Sequence, residues 1–347
     1  MMANGAFWRR MGWRITQAFA VVHIALQLAV WLPLFMERTH ERRDAPIYYR
    51  AARAALTRQP LYRNWPNYNP HKDVPTVYLY PPSFAAVFAP LGKLTLLQFT
   101  RVWYLLLLVA FWIYAACLAR LAGAHGFWPI AVAGLVLQLF PGTIAAMSLG
   151  NAEPLMWMLF GLALTYRRGR GAWLMTAALI KVHPVWALSV ACVREGRRVA
   201  RPAFVTLVTG GLLGALVCGA ESYAVWRMAA LPVVSQGCDI PGNVSLSFSA
   251  LRLFWAWSGD AANGRLSSGA RAWLTLCALA GPLLASWLAR RSSVEMHITL
   301  VACAAIVCGP LCWTLYLPVF LLPAALWYAQ LRAKNTVEFN RRDGAYV

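Results

Sequence analysis

"GAWLMTAALIKVHPVWALSVAC" runs from Gly171 to Cys192. Its length suits a helix that crosses a bilayer, which needs about 20 apolar residues. Its centre does not. Lys181, His183 and Pro184 fall at the midpoint, and a proline there removes a backbone hydrogen bond and clashes with the preceding turn. The flanks decide between a kinked crossing and a return. Arg167, Arg168 and Arg170 precede the stretch, and Arg194, Arg197, Arg198 and Arg201 follow it. Basic loops collect on the cytoplasmic side of a membrane protein, so both ends belong on that side. The expected structure is two short half-helices that enter and come back. Their irregular tip must lie against protein or water, because bare backbone is not tolerated in lipid.

The rest of the 347-residue chain supports the membrane setting. It is 60% hydrophobic with a mean hydropathy of +0.53, and only 13% of its residues are charged, against about 25% in a soluble protein. The net charge of +20 resides largely in short arginine-rich loops, the pattern that orients helices. No soluble domain presents a basic face to nucleic acid. The cysteines lie scattered in apolar runs, with no histidine or carboxylate at metal-ligand spacing, so neither a metal nor another cofactor is expected. Apolar runs at 15–36, 99–119, 127–147, 152–166, 202–220, 269–289, 297–310 and 313–331 make about eight full crossings. The proline-rich 78–91 run is expected to dip in from the outside without crossing, as 171–193 does from the inside. The fold class is then an all-α polytopic membrane protein, a single integral domain with both termini cytoplasmic. Its outer loops cover about 37–77 and 221–268.

The first outer loop contains "HERRDAPIYYRAARAALTRQPLY", His40–Tyr62. Asp44 followed by Ala45-Pro46 is a helix start. Ile47, Tyr48, Ala51, Ala52, Ala55 and Leu56 then share one face, with Arg50, Arg53 and Thr57 opposite, as in a helix lying along an interface. Asp44 reads as a helix cap, worth about 1 kcal/mol. It also reads as a general base that takes a proton from a hydroxyl while neighbouring cations hold a phosphate. Lys181 faces a phosphate or snorkels to an interface. His183 is a satisfied polar core residue or a substrate contact. Glu153 is a carboxylate favoured at a helix N-terminus or a partner of sugar hydroxyls. Tyr80, beside Pro81-Pro82, is a groove wall or an interface anchor. Arg252 is the outer arginine best placed for a phosphate.

"DAPIYYRAARAAL" (44–56), "YLYPPSFAAVFAPLG" (78–92), "SLGNAEPLMWMLFG" (148–161), "GAWLMTAALIKVHP" (171–184), "PGNVSLSFSALRLF" (241–254) and "GPLCWTLYLP" (309–318) follow one another in an order that resembles glycosyltransferase family 87. These are the polyprenol-phosphate-mannose-dependent mannosyltransferases of the C-type membrane superfamily. The resemblance covers nearly the whole chain. It implies a C-type helical bundle with re-entrant segments and outer-face loops, placed in the inner (plasma) membrane with its active site facing the periplasm or exterior. The donor it implies is a polyprenyl-phosphate sugar, with mannose the expected sugar and a glycan or glycolipid hydroxyl as acceptor. The family's aspartate falls on Asp44, its tyrosine pair on Tyr48 and Tyr49, its Tyr-Pro-Pro on Tyr80, its Lys-x-x-Pro on Lys181 and Pro184, and its Asn-x-Ser on Asn243 and Ser245. The chain departs from the family at Gly150-Asn151-Ala152-Glu153, where Gly-Gln-x-Asn is usual, and at Leu315, where a histidine is common. A single displacement is expected, with Asp44 as base and Lys181 or Arg252 receiving the leaving phosphate. The rivals are a multi-spanning transporter or lipid flippase, for which no repeat between the halves is visible, and a non-catalytic membrane assembly partner.

Overall fold

The computed structural model describes residues 3–26, 44–62, 78–235, 243–258 and 267–343. Most of the first outer loop, including Arg38, Arg42, Arg43, Arg63 and Lys72, lies outside the described residues, as does part of the second. Among the described residues the protein is helical throughout, with one isolated antiparallel bridge between Asn243 and Trp313.

Four helical stretches are long and apolar enough to cross a bilayer: Leu96–Leu121, Arg197–Cys218, Ser268–Ala289 and Thr314–Asn335. A fifth arises if Phe127–Leu139 and Pro141–Leu149 form one broken span, bent by 81°. Pro141 explains the bend. A residue before proline is driven out of the helical region, and Phe140 sits at φ −74, ψ 122. Two of the expected crossings are realised as short helices, Glu153–Thr165 and Val294–Val307, of 13 and 14 residues. At 1.5 Å per residue each reaches about 20 Å, less than the roughly 30 Å of a hydrocarbon core.

Leu96–Leu121 is the central post. Thr95 starts it with a capping box: its hydroxyl accepts from the Gln98 amide at 3.3 Å, and its own amide donates to Gln98 Oε1 at 3.0 Å, satisfying two otherwise orphaned donors. Phe99, Trp103, Leu107, Phe111 and Leu118 form its buried stripe. Leu105 and Val109 are exposed on the other face, as expected of side chains turned to lipid. Glu153–Thr165 packs against the stripe. Gly161 permits the approach, since a Cβ there would stand 2.9 Å from Cys117 Cβ.

The Gly171–Cys192 stretch is two helices, Arg170–Ile180 and Pro184–Glu195, separated at Lys181, which is extended at φ −139, ψ 144. They fold back on one another. Arg170, the first residue of the pair, binds Glu195, the last, at 2.7 Å. The fully buried Arg170 also binds Glu295 at 2.7 Å and donates to the Ala163 carbonyl at 2.9 Å. A buried guanidinium is tolerated only when paired in this way. The closed hairpin therefore has its arginines at one end and Lys181 at the other.

The Asp44 helix, Asp44–Leu56, buries Ala45, Ile47, Tyr48, Ala51, Ala52 and Ala55 and exposes Arg50 and Arg53. This is the face expected from the spacing of apolar residues, but its partner is protein rather than an interface: the helix Pro82–Phe88 and the 3-10 turn Ala89–Lys93. Small residues make the contact close. A Cβ on Gly92 would lie 2.8 Å from the Ala52 carbonyl oxygen. Gly92→Ala is therefore expected to push the Asp44 helix away, at a cost of about 1–3 kcal/mol for overpacking. The check is a lower thermal midpoint of the purified protein.

Candidate active site

The site forms where the Asp44 helix, the Tyr80 loop, the junction at 150–153, the hairpin tip and the segment after Trp313 converge. Gly150 ends the helix Pro141–Leu149 in the left-handed region, φ 65 and ψ 33. A Cβ there would meet the Tyr104 hydroxyl at 2.9 Å and Ala45 Cβ at 3.3 Å, so glycine is the residue this corner accepts. Three side chains fasten the corner. Trp103 Nε1 donates to the Gly150 carbonyl at 2.8 Å, Asn151 Oδ1 accepts from the Glu153 amide at 3.1 Å, and the Ala152 amide donates to the Tyr48 hydroxyl at 3.2 Å. The Tyr48 hydroxyl in turn donates to the Tyr80 hydroxyl at 2.7 Å.

The charged groups hang on this frame. The Asn151 carboxamide donates to the Asp44 carboxylate. Lys181 Nζ donates to Glu153 Oε1 and, at 3.2 Å, to the Tyr316 hydroxyl. The ammonium lies 4.2 Å from the Tyr316 ring centroid and 5.5 Å from that of Tyr80. The His183 ring stacks on Tyr316 at 5.9 Å. Asn151 and Glu153 are buried, while Asp44, Tyr80 and Lys181 are half-buried and form the accessible side. Glu153 binds the ammonium directly, and Asp44 lies within reach of its charge. Burial raises the Asp44 pKa above the ordinary carboxylate value, and the Asn151 hydrogen bond and the Lys181 charge only partly oppose it. A carboxylate moved in this direction is a stronger base once ionised.

Eight of the residues singled out from sequence or found here therefore meet: Asp44, Tyr48, Tyr80, Asn151, Glu153, Lys181, His183 and Tyr316. Lys181 points inward and does not snorkel, and Glu153 is its counter-ion as well as the first residue of its helix. Tyr49 lies apart. Its hydroxyl donates to the Leu94 carbonyl at 3.1 Å and its ring packs on Phe99. Asn243 and Arg252 also lie elsewhere, as braces of the segment that leads to Tyr316. The fully buried Asn243 donates from Nδ2 to the Pro310 carbonyl at 3.1 Å and accepts from the Cys312 amide at 3.0 Å, and its own carbonyl accepts from Arg252 Nη1 at 2.9 Å. Tyr316 is the site residue that sequence reading passed over. In "GPLCWTLYLP" the departure from the family pattern is Leu315 in place of a histidine, and nothing in an aromatic-rich segment marks which ring faces a cation. Among the described residues, no cluster of histidine, cysteine, aspartate or glutamate could hold a metal ion.

Depth follows from helix lengths. From Lys181 to Arg170 is about 16 Å along the hairpin, and from Trp103 to Arg120 about 25 Å along the central post. The site is thus set about 16–25 Å from the end of the bundle that carries Arg120 and Arg170.

The glycosyltransferase family 87 model matches residues 78–333, about three quarters of the chain. The chain belongs to glycosyltransferase family 87. It is accordingly a membrane glycosyltransferase, a protein that moves a sugar from a donor to an acceptor. The matched range carries Tyr80, Asn151, Glu153, Lys181, His183 and Tyr316 and begins after Asp44 and Tyr48. The latter two are tied to the family 87 region by their hydrogen bonds to Asn151, Ala152 and Tyr80. No curated protein and no solved structure matches the chain.

Proposed function

We propose that the protein transfers a hexose, mannose being the expected sugar, from a polyprenyl phosphate to a hydroxyl of a glycan or glycolipid. The transfer takes place at the periplasmic or exterior side of the inner (plasma) membrane. Asp44 removes the acceptor's hydroxyl proton as that oxygen attacks the anomeric carbon. The new C–O bond forms as the bond to the phosphate oxygen breaks, and polyprenyl phosphate leaves with the electron pair. Lys181, whose charge acts on Asp44, stabilises the charge developing on the leaving phosphate. Tyr80 supplies a ring and a hydroxyl at the edge.

The observation that carries the reading is the meeting of Asp44 with Lys181 across Asn151 and Glu153, a base and a cation in one half-buried site. The membrane side is supported by the hairpin. The two arginine clusters that flank the hairpin, at 167–170 and 194–201, favour the cytoplasm for that end, and the tip with Lys181 points about 16 Å away from it, toward the opposite face. A lipid-linked donor reaches that level without leaving the bilayer.

The test is to incubate the purified protein with polyprenyl-phosphate hexoses and extracted acceptor lipids or glycans, and to search the products by mass spectrometry and NMR. Transfer with inversion at the anomeric carbon is expected. Retained configuration eliminates the single displacement, and no transfer from any lipid-phosphate donor eliminates the donor assignment. Flipping of labelled lipid without glycan formation would instead favour the transport reading. A cysteine placed at Arg53 should react with a membrane-impermeant maleimide added outside intact cells, and labelling only after lysis overturns the outer-face assignment.

A further inference from the structure

Among the described residues, Lys181 Nζ meets one carboxylate, that of Glu153, and two tyrosine rings. The carboxylate of Glu153 neutralises the ammonium and takes one of its three donors, which leaves a compact head on a flexible four-carbon stem with two donors still to be placed. Direction comes from the rings. Tyr316 contacts Nζ twice, through its ring at 4.2 Å from the centroid and through its hydroxyl oxygen at 3.2 Å, and the Tyr80 ring centroid lies 5.5 Å from Nζ. A cation held over a ring face in a site sheltered from water gains more than the same contact gains at a surface.

Tyr316 is itself held firmly. It is buried, its amide donates to the Trp313 carbonyl at 2.8 Å, and it belongs to the 3-10 turn Thr314–Phe320. That turn is anchored at Pro318, whose carbonyl accepts from the Tyr114 hydroxyl at 2.7 Å. Ahead of it, Asn243 fixes Pro310 and Cys312. The His183 ring stacks on the Tyr316 ring at 5.9 Å. A rigid ring thus meets a flexible cation.

We propose that Tyr316 is a positioning residue for Lys181. It holds the ammonium between Glu153 and the place of the donor's phosphate, so that one cation serves first as the partner of a buried carboxylate and then as the partner of the leaving group. The phosphate half of this statement rests on the proposed transfer reaction. The hold on Lys181 does not.

Two variants separate the contacts. Tyr316→Leu removes ring and hydroxyl, and Tyr316→Phe removes only the hydroxyl. The first measurement is acylation of Lys181 in the purified protein by an amine-reactive reagent, read by peptide mass spectrometry against the exposed Lys93. Lys181 should label about tenfold faster in the leucine variant, the order of factor that a sheltered cation–π contact represents, and at an intermediate rate in the phenylalanine variant. The second measurement is kinetic. kcat/KM for the lipid-phosphate donor should fall about tenfold in Tyr316→Leu while KM for the acceptor stays unchanged, a split that a general loosening of the fold does not produce. An unchanged Lys181 labelling rate in the leucine variant overturns the proposal, as does an equal loss toward donor and acceptor. If the leucine variant fails to fold, Tyr316→Phe decides, and Lys181 labelling at the wild-type rate overturns it. Faster labelling in a protein that transfers sugar from no donor defeats the transfer reading and leaves the hold of Tyr316 on Lys181 standing.

Discussion

Asp44→Asn should reduce sugar transfer by about 10²- to 10⁴-fold, the range lost when a positioned general base is removed, and leave the fold at least as stable. The two expectations share one cause. Asp44 starts its helix beside Asn151 in a largely buried position, and burial raises its pKa against the pull of Asn151 and Lys181. A carboxyl whose folded pKa is raised favours the protonated native state, so above that pKa the folded protein bears the cost of a buried charge. Asparagine has the same shape, accepts the Asn151 hydrogen bond through its own oxygen and carries no charge. The thermal midpoint of Asp44→Asn at neutral pH should therefore match or exceed that of the wild type. Its advantage should shrink as the pH falls through the pKa of Asp44. Wild-type kcat should decline over the same acid range, because the protonated carboxyl cannot accept the hydroxyl's proton. Transfer assays and thermal melts across pH test both. An Asp44→Asn protein that retains wild-type turnover removes Asp44 from the chemistry, whatever its stability.

Lys181→Met should lose both activity and stability, and a second substitution should restore only one of them. Removing the ammonium leaves Glu153, which is 1% exposed, as an unpaired buried carboxylate, and breaking a buried pair from one side costs about 3–5 kcal/mol. Adding Glu153→Gln removes the stranded charge. The double variant should recover most of the lost thermal stability, since neutral replacements for a buried ion pair are often tolerated. Transfer should stay about 10²- to 10³-fold down in both, the scale of losing one stabilising group for developing negative charge. If the single variant melts at the wild-type temperature, Glu153 and Lys181 do not depend on one another. If the double variant recovers transfer, Lys181 acts on the fold and not on the phosphate.

Much of the site could be read from the chain because it sits at breaks in regular patterns. Lys181 and Pro184 interrupt an apolar run between two arginine clusters, and the hairpin closed by Arg170 and Glu195 is the structural form of that interruption. Asp44 with Pro46 marks a helix start in a basic loop, and a helix starts there. Span lengths were less legible. Hydropathy counts apolar residues but does not see where a helix stops, so 127–147 read as one rod although Pro141 bends it by 81°. Asn243 and Arg252 illustrate a different limit. A polar residue in an outer segment has the same composition whether it faces substrate or braces a loop, and the contacts of Asn243 with Pro310 and Cys312 join positions far apart in sequence.

The sequence by itself determined the membrane setting, the helical class, the broken segment and the presence of an acid and a lysine at irregular points, because each follows from local hydropathy, charge and proline chemistry. Only the tertiary structure decided that Asp44 and Lys181 share a site, that Glu153 is the counter-ion of Lys181, and that Tyr316 lies under the ammonium. The contact of Lys181 with Tyr316 alone spans 135 residues, and all three pairings depend on helix directions and close small-residue contacts, which no window of sequence encodes.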